Sequence, residues 1–292
     1  EFTPDGYLAY PNFLETVTQI IPMYMSRAFG GTLYLTGTLI MIYNLIKTAG
    51  SGEFQAYEYD EAPALTKKAV VGGGWHAVLE RKPILFTVLA LVAVLIGGII
   101  EFVPTWLVKS NVPTIASVKP YTPLELQGRD IYIREGCYNC HSQMIRPFRS
   151  ETERYGEYSK SGEFVYDHPF QWGSRRTGPD LHRVGGKYPD SWHYNHMMDP
   201  SSMSPGSIMP SYPWLYETLM PGKIKAMKTL GVPYEEGFED TAVAEMEKQA
   251  EGISKGLADG NIKVDKNKEI VALIAYLQRL GTDIKNEPTA MK

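Results

Sequence analysis

The chain has 292 residues and a formal net charge of -4, with 20 prolines and 19 tyrosines. That length suits one or two modest domains, and the acidic balance excludes the basic field that nucleic acid requires. Its two cysteines, three positions apart, exclude a disulfide scaffold and a four-cysteine zinc or iron–sulfur site. Residue 1 is Glu, and nothing near it resembles a cleavable signal peptide, which leaves a processed chain and a piece of something longer as the two readings.

Ala28 to Ile46 is a run of 19 residues without a charge, and Ile84 to Val108 is a second apolar run broken only by Glu101. A helix needs about 20 apolar residues to cross a ~30 Å hydrocarbon core, so both runs are predicted to span a lipid bilayer. A buried core helix is the other reading of the first. That run carries Gly30, Gly31, Thr32, Thr36, Gly37 and Thr38. Small residues let helices approach closely in lipid, which favours a helix packed in a larger bundle over a lone anchor. Lys47, Lys67, Lys68, Arg81 and Lys82 lie between the runs and place that loop in the cytoplasm, with both flanks outside. Glu101 sits near the outer boundary, where exposure to headgroups explains it at least as well as a functional role does. The expected organisation is a tail and first span at 1–48, a linker at 49–82, a second span at 83–108, a connector at 109–121 and a soluble domain at 122–292.

In the soluble region Thr122-Pro123-Leu124-Glu125 reads as a capping box with Pro at the first helical position, opening a helix that runs to about Gly136. Cys137-Tyr138-Asn139-Cys140-His141 follows at once. Two thiols at this spacing reach the two vinyl groups of one haem and form thioethers, and the next residue, His141, is held under the iron as an axial ligand. A thioredoxin-like pair would need a βαβ context, which is absent, and a zinc site would need two more ligands at suitable spacing. Further on, Ile270 to Leu280 reads as an amphipathic last helix, with Asp265 as its N-cap and Gly281 as its C′ residue. His168, His182, His193 and His196 read as ordinary polar residues; His193 and His196 are three apart, and no third ligand lies in range.

Thr177-Gly178-Pro179-Asp180-Leu181 and Met209-Pro210-Ser211-Tyr212 resemble the Gly-Pro-x-Leu and Met-Pro-x-aromatic stretches of class I cytochromes c. The resemblance implies an all-α fold: two transmembrane helices plus a class I cytochrome c-like haem domain. It implies that the Pro179 carbonyl accepts a hydrogen bond from Nδ1 of His141, fixing the ring. It implies Met209 as the second axial ligand, with Met203 next in order. Met144 is too close to His141 to reach the opposite haem face, and Met220, Met227 and Met246 are expected in packing or on the surface. A thioether ligand favours ferrous iron and closes it to oxygen. Tyr276 on the last helix would meet Gly128 and Tyr132 on the first.

A narrower resemblance rests on residues 137–149, Glu151-Thr152-Glu153-Arg154-Tyr155-Gly156, and Tyr166-Asp167-His168-Pro169-Phe170-Gln171-Trp172-Gly173-Ser174. These are similar to the mono-haem subunit of cbb3-type cytochrome c oxidases, the FixO/CcoO family, from about Glu80 to the last helix. Residues 11–48, with Arg27-Ala28-Phe29-Gly30-Gly31 and Met41-Ile42-Tyr43-Asn44, resemble instead the last transmembrane helix of the catalytic subunit, which implies a fusion of the two. The resemblance implies one covalent haem c on the periplasmic side of a bacterial inner membrane. Electrons would come from a cytochrome c donor through a di-haem subunit and pass to the haem–copper catalytic subunit I, where oxygen is reduced to water with proton pumping. It also implies a calcium near Ser174 at the catalytic-subunit interface. Arg146, Arg149, Arg154, Arg175 and Arg176 are candidates for pairing with haem propionates or acidic partner residues, Arg146 and Arg149 foremost. Two rival readings are a stand-alone tethered cytochrome and the cytochrome subunit of a nitric oxide reductase.

Overall fold

The computed structural model describes residues 2–52, 74–108, 113–217 and 224–286. Most of the linker, with Lys67 and Lys68, lies outside the described residues, as do residues 109–112 of the connector and Met220. Within them the protein is helical, and its β-structure is an isolated bridge between Phe2 and Leu8. The chain divides into two compact units, one uniting Glu1–Ile20 with Val112–Lys292 and the other made of Ile21–Asn111.

Helix α1 (Phe13–Ala49) starts in the first unit and continues into the second. It is longer than the charge-free run because Phe13–Arg27 is helical as well. Helix α2 (Trp75–Glu80) is short, and α3 (Pro83–Leu107) places Pro83 in its first turn, where no backbone N–H is missed. Both α1 and α3 are long and apolar enough to cross a membrane. Leu33, Leu39 and Ile40 on α1, and Ile84, Phe86, Leu91 and Ile100 on α3, all face outward. A helix apolar all round has no water-facing side, so lipid or neighbouring helices must cover it. The hydroxyls of Thr32, Thr36 and Thr38 donate to carbonyls one turn back, at Ala28, Thr32 and Tyr34, so these three donors are satisfied within the helix.

The first unit is built on α4 (Pro123–Arg134). Its capping box forms as the sequence suggests: Glu125 N donates to Thr122 Oγ1 at 3.3 Å and Thr122 N to Glu125 Oε2 at 2.9 Å. After it come α5 (Arg149–Tyr155), α6 (Asp190–Met198), α7 (Pro200–Met203), α8 (Ile224–Thr229), α9 (Phe238–Asp259) and α10 (Glu269–Arg279). Helix α10 crosses α4 so closely that a Cβ on Gly128 would strike the Ala272 carbonyl and Tyr276. The Tyr132 and Tyr276 rings meet edge to face, 5.3 Å between centroids. Leu124, Ile131, Ile270, Leu273, Ile274 and Leu277 close the core around them. Asp265 does not cap α10: the cap is Lys268, and the Asp265 carboxylate accepts from Asn267 N at 2.9 Å in a turn just before the helix. Gly281 has φ +66, as a C′ glycine should.

Among the described residues of 213–264, which carry no motif, helix α9 packs against α4 and α10. Helix α9 sends Ala250 and Leu257 into the main core, while Ala242 joins Leu126, Met227 and Val232 in a second cluster. Because the α4–α10 contact is made backbone to backbone, Gly128→Ala should overpack it and cost about 2 kcal/mol. Denaturant unfolding of the haem domain will check this; an unchanged midpoint would show that the crossing tolerates a side chain.

Candidate haem-binding cleft

Helix α4 ends at Arg134 with Glu135 as its cap, and Gly136, with φ +70, turns the chain into a single helical turn at Cys137–Asn139. The turn closes through Cys140 N and His141 N, both donating to the Cys137 carbonyl at 3.1 and 2.9 Å. Both thiols therefore sit on one short turn, and neither is in a disulfide. Burial pushes the Cys137 thiol up to about 12. A redox CxxC needs a depressed thiol pKa, so this environment is opposite to the thioredoxin type.

His141 lies with its Nδ1 at 2.8 Å from the Pro179 carbonyl, Nδ1–H donating. Burial lowers its pKa, against the Pro179 bond and the nearby Asp180. The ring is thus neutral at neutral pH and keeps the Nε2 lone pair for a metal. Gly178 packs flat on the imidazole, and a Cβ there would overlap it. The two loops are tied by Gly178 N to Cys140 O and Leu181 N to Ser142 O, each 2.9 Å.

The stretch after the cysteines is anchored by a polar network. Asp180 accepts from Ser142 Oγ at 2.7 Å and from the backbone N–H groups of Met144 and His182, each at 2.9 Å. Arg176 donates to Ser142 Oγ at 2.8 Å and to Glu151 at 2.6 Å. Glu151 also receives Arg146 N at 2.8 Å and the Arg146 guanidinium at 2.7 Å. Burial pushes the Glu151 carboxyl up, but Arg176 and Arg146 outweigh it and hold the group below the usual range. Gln143 reaches the helix crossing, Nε2 donating to Tyr276 Oη at 2.9 Å, and its N–H donates to Trp172 O at 2.7 Å.

These elements surround a cleft of about 530 Å³, within the size range of cofactor pockets. Cys137, Cys140, His141, Pro179 and Met209 all line it, with Tyr132, Leu273 and Leu277 from the α4–α10 crossing. Met203 on α7 is not among the lining residues, whereas the buried Met197 on α6 is. Four buried polar atoms on the lining have no hydrogen-bond partner: Tyr132 Oη, Arg154 Nε, His193 Nε2 and His196 Nδ1. Buried polar atoms are rarely left single, so this mainly apolar cleft with a few orphan donors fits an apolar macrocycle that carries carboxylates. Burial pushes His193 and His196 down to about 4, so both are neutral near pH 7.

The residues fit a haem, and the comparisons with known proteins decide which kind of haem protein this is. Residues 76–284, well over half of the chain, match the family model described as cytochrome c oxidase, mono-haem subunit/FixO. The chain belongs to the FixO family. It is also similar, over 52 residues and at 50% identity, to a cytochrome c oxidase subunit 1 homolog, bacteroid, of Bradyrhizobium diazoefficiens. Subunit 1 homologs of Agrobacterium tumefaciens and Azorhizobium caulinodans match at 44% identity over 48 and 52 residues. These matches cover 16–18% of this chain and 9% of each relative, so the chain spans about a tenth of the length of those relatives.

Two of the arginines considered for propionates or partner acids are not among the lining residues: Arg146 pairs with Glu151, and Arg149 pairs with Glu153 at 2.6 Å and with the Gly6 carbonyl at 2.7 Å. Ser174 is exposed, and among the described residues no group of three or more His, Cys, Asp or Glu side chains gathers as a metal site. Of the five candidate arginines Arg154 does line the cleft, while Tyr132, Trp192, Met197 and the two α6 histidines line it without having been singled out for it. The three-residue spacing of His193 and His196 was the one available signal. It placed them on one helix face without saying that the face looks into a cavity.

Glu151→Gln should destabilise the domain by about 2 kcal/mol at neutral pH, the loss of charge-assisted bonds to a nearly buried group. A carboxylate with a depressed folded pKa stabilises above its unfolded pKa, and that stability is lost as pH falls through the folded pKa. The variant's deficit should therefore shrink in acid. Unfolding free energies at neutral and acid pH check this, and a deficit independent of pH would contradict it.

Proposed function

We propose that this chain is the electron-entry part of a cbb3-type cytochrome c oxidase, holding one covalently attached c-type haem and relaying single electrons to a haem–copper catalytic subunit. The observation that carries this reading is the cleft itself. It gathers Cys137, Cys140 and His141 from one turn, Pro179 behind His141, and Met209 from a distant loop. When bound, the haem supplies a one-electron couple.

In this reading Cys137 and Cys140 would hold the haem through thioethers, and His141 and Met209 would hold its iron. The Pro179 carbonyl fixes the His141 ring by accepting its Nδ1–H, which strengthens the ligand as such outer contacts do. With the iron held by both of these side chains, the site would move electrons and leave oxygen to the catalytic subunit. Arg154, Tyr132, His193 and His196 supply the polar contacts that propionates need in a buried setting.

Helices α1 and α3 hold the assembly in a bacterial inner membrane, with the haem domain on the periplasmic side. The similarity to subunit 1 homologs supports a chain in which a subunit-I-like piece runs into the mono-haem subunit. A di-haem subunit and a cytochrome c donor would feed this haem, and proton translocation would belong to the catalytic subunit. A calcium near Ser174 would need its remaining ligands from that subunit.

Met209→Ala should leave the haem attached and lower its midpoint potential markedly, while Met203→Ala should change neither. Redox titration at the c-haem band separates them, and a Met209→Ala potential equal to wild type would move the ligand assignment elsewhere. The oxidase reading is checked by gas consumption: the complex should consume oxygen with reduced cytochrome c as donor, and nitric oxide consumption in its place would overturn it.

A further inference from the structure

Pro11, Asn12, Phe13, Leu14 and Val17, at the start of α1, line the same cleft as the cysteines. Val17 is buried, although most of α1 is exposed. Leu14 reaches the loop that carries Met209: a Cβ on Gly206 would lie 3.6 Å from Leu14 Cδ2. The segment before the helix is a built turn. Thr3 N donates to Tyr7 O at 2.8 Å, Gly6 N to Thr3 O at 2.9 Å, and Phe2 bridges Leu8. Asn12 starts the helix by accepting Leu14 N at 3.0 Å.

Two arginines of α5 grip this segment. Arg149 Nη2 donates to Gly6 O at 2.7 Å, and its guanidinium lies over the Phe2 ring at 5.1 Å. Arg154 Nη2 donates to Tyr10 O at 2.8 Å, while its buried Nε is the unpartnered donor on the cleft lining. One arginine thus holds the segment and forms part of the cleft wall. Guanidinium is suited to this, since its donors form a rigid fork and it stays charged when buried.

We propose that residues 2–17, the piece leading into the subunit-I-like helix, dock on the haem domain as the cover of its cleft, with Arg154 as the positioning residue that joins cover and cofactor. This rests on the haem reading above. The cover shields the Met209 side from water with apolar side chains, and exclusion of water around a haem raises its potential. It also makes this face of the haem domain an interface with its own chain, closed to soluble partners.

The test uses the full chain in its complex, in mild detergent, with Leu14→Asp to break the apolar contact. Chymotrypsin should cut after Tyr7 or Phe13 at least about tenfold faster than in wild type, since opening by that factor corresponds to ~1.4 kcal/mol of lost docking. The reduction equilibrium of the c-haem should fall about tenfold, which is ~59 mV for one electron. Arg154→Gln, a milder change, should shift both readouts in the same direction. Arg154→Lys, which keeps the charge, should recover part of the potential. Proteolysis reads the docking whether or not haem is attached, and the pyridine haemochrome spectrum reads attachment separately. A wild-type tail cut as fast as the variant's, or a potential unchanged in both variants with haem attached, would overturn the proposal.

Discussion

The close crossing of α4 and α10 at Gly128 is the constraint on which the haem domain depends. With no side chain at that position, the two backbones come within contact and Tyr276 lies across Tyr132. The crossing does two things at once. It buries the apolar faces of both helices, and it turns Tyr132, Leu273 and Leu277 toward the cleft as part of its wall. The cysteine turn begins three residues beyond the end of α4, so the crossing also fixes where Cys137 and Cys140 stand. Gln143, bonded to Tyr276, carries the same constraint into the loop that follows.

From that base the site is assembled by loops. The Cys137–His141 turn, the Gly178–Pro179 stretch and the Met209 loop have little regular structure, and the network of Asp180, Ser142, Arg176 and Glu151 holds the first two together. Such loops are where function concentrates when a rigid scaffold positions them. Here the network does this with charged groups that are mutually paired, so burial costs are offset by charge-assisted hydrogen bonds.

Much of this was legible in the sequence because its signals are local. The Thr122–Glu125 cap, the Gly281 stop, the CxxCH turn and the two apolar runs each announce themselves within a few residues. The end of α10 near Asp265 misled because an Asp serves a turn as readily as a helix cap, and the turn won. The role of 213–264 was not legible, because α9 packs on α4 through an amphipathic face with no motif. The cleft wall of α6 was hidden for a related reason. His193, His196 and Met197 look into the cavity only because α6 packs beside α10, a fact about tertiary placement. The length of α1 escaped because Glu15 and Arg27 break the apolar pattern before Ala28, although the helix runs on through them.

The proposed function requires one covalent haem at the turn that follows α4. Mass analysis of the denatured full chain tests this most directly. A single haem should remain bound to the peptide containing Cys137 and Cys140 after acid and organic solvent remove any non-covalent cofactor. Recovery of that peptide with two free thiols, from protein matured in a host that attaches c-type haem, would contradict it.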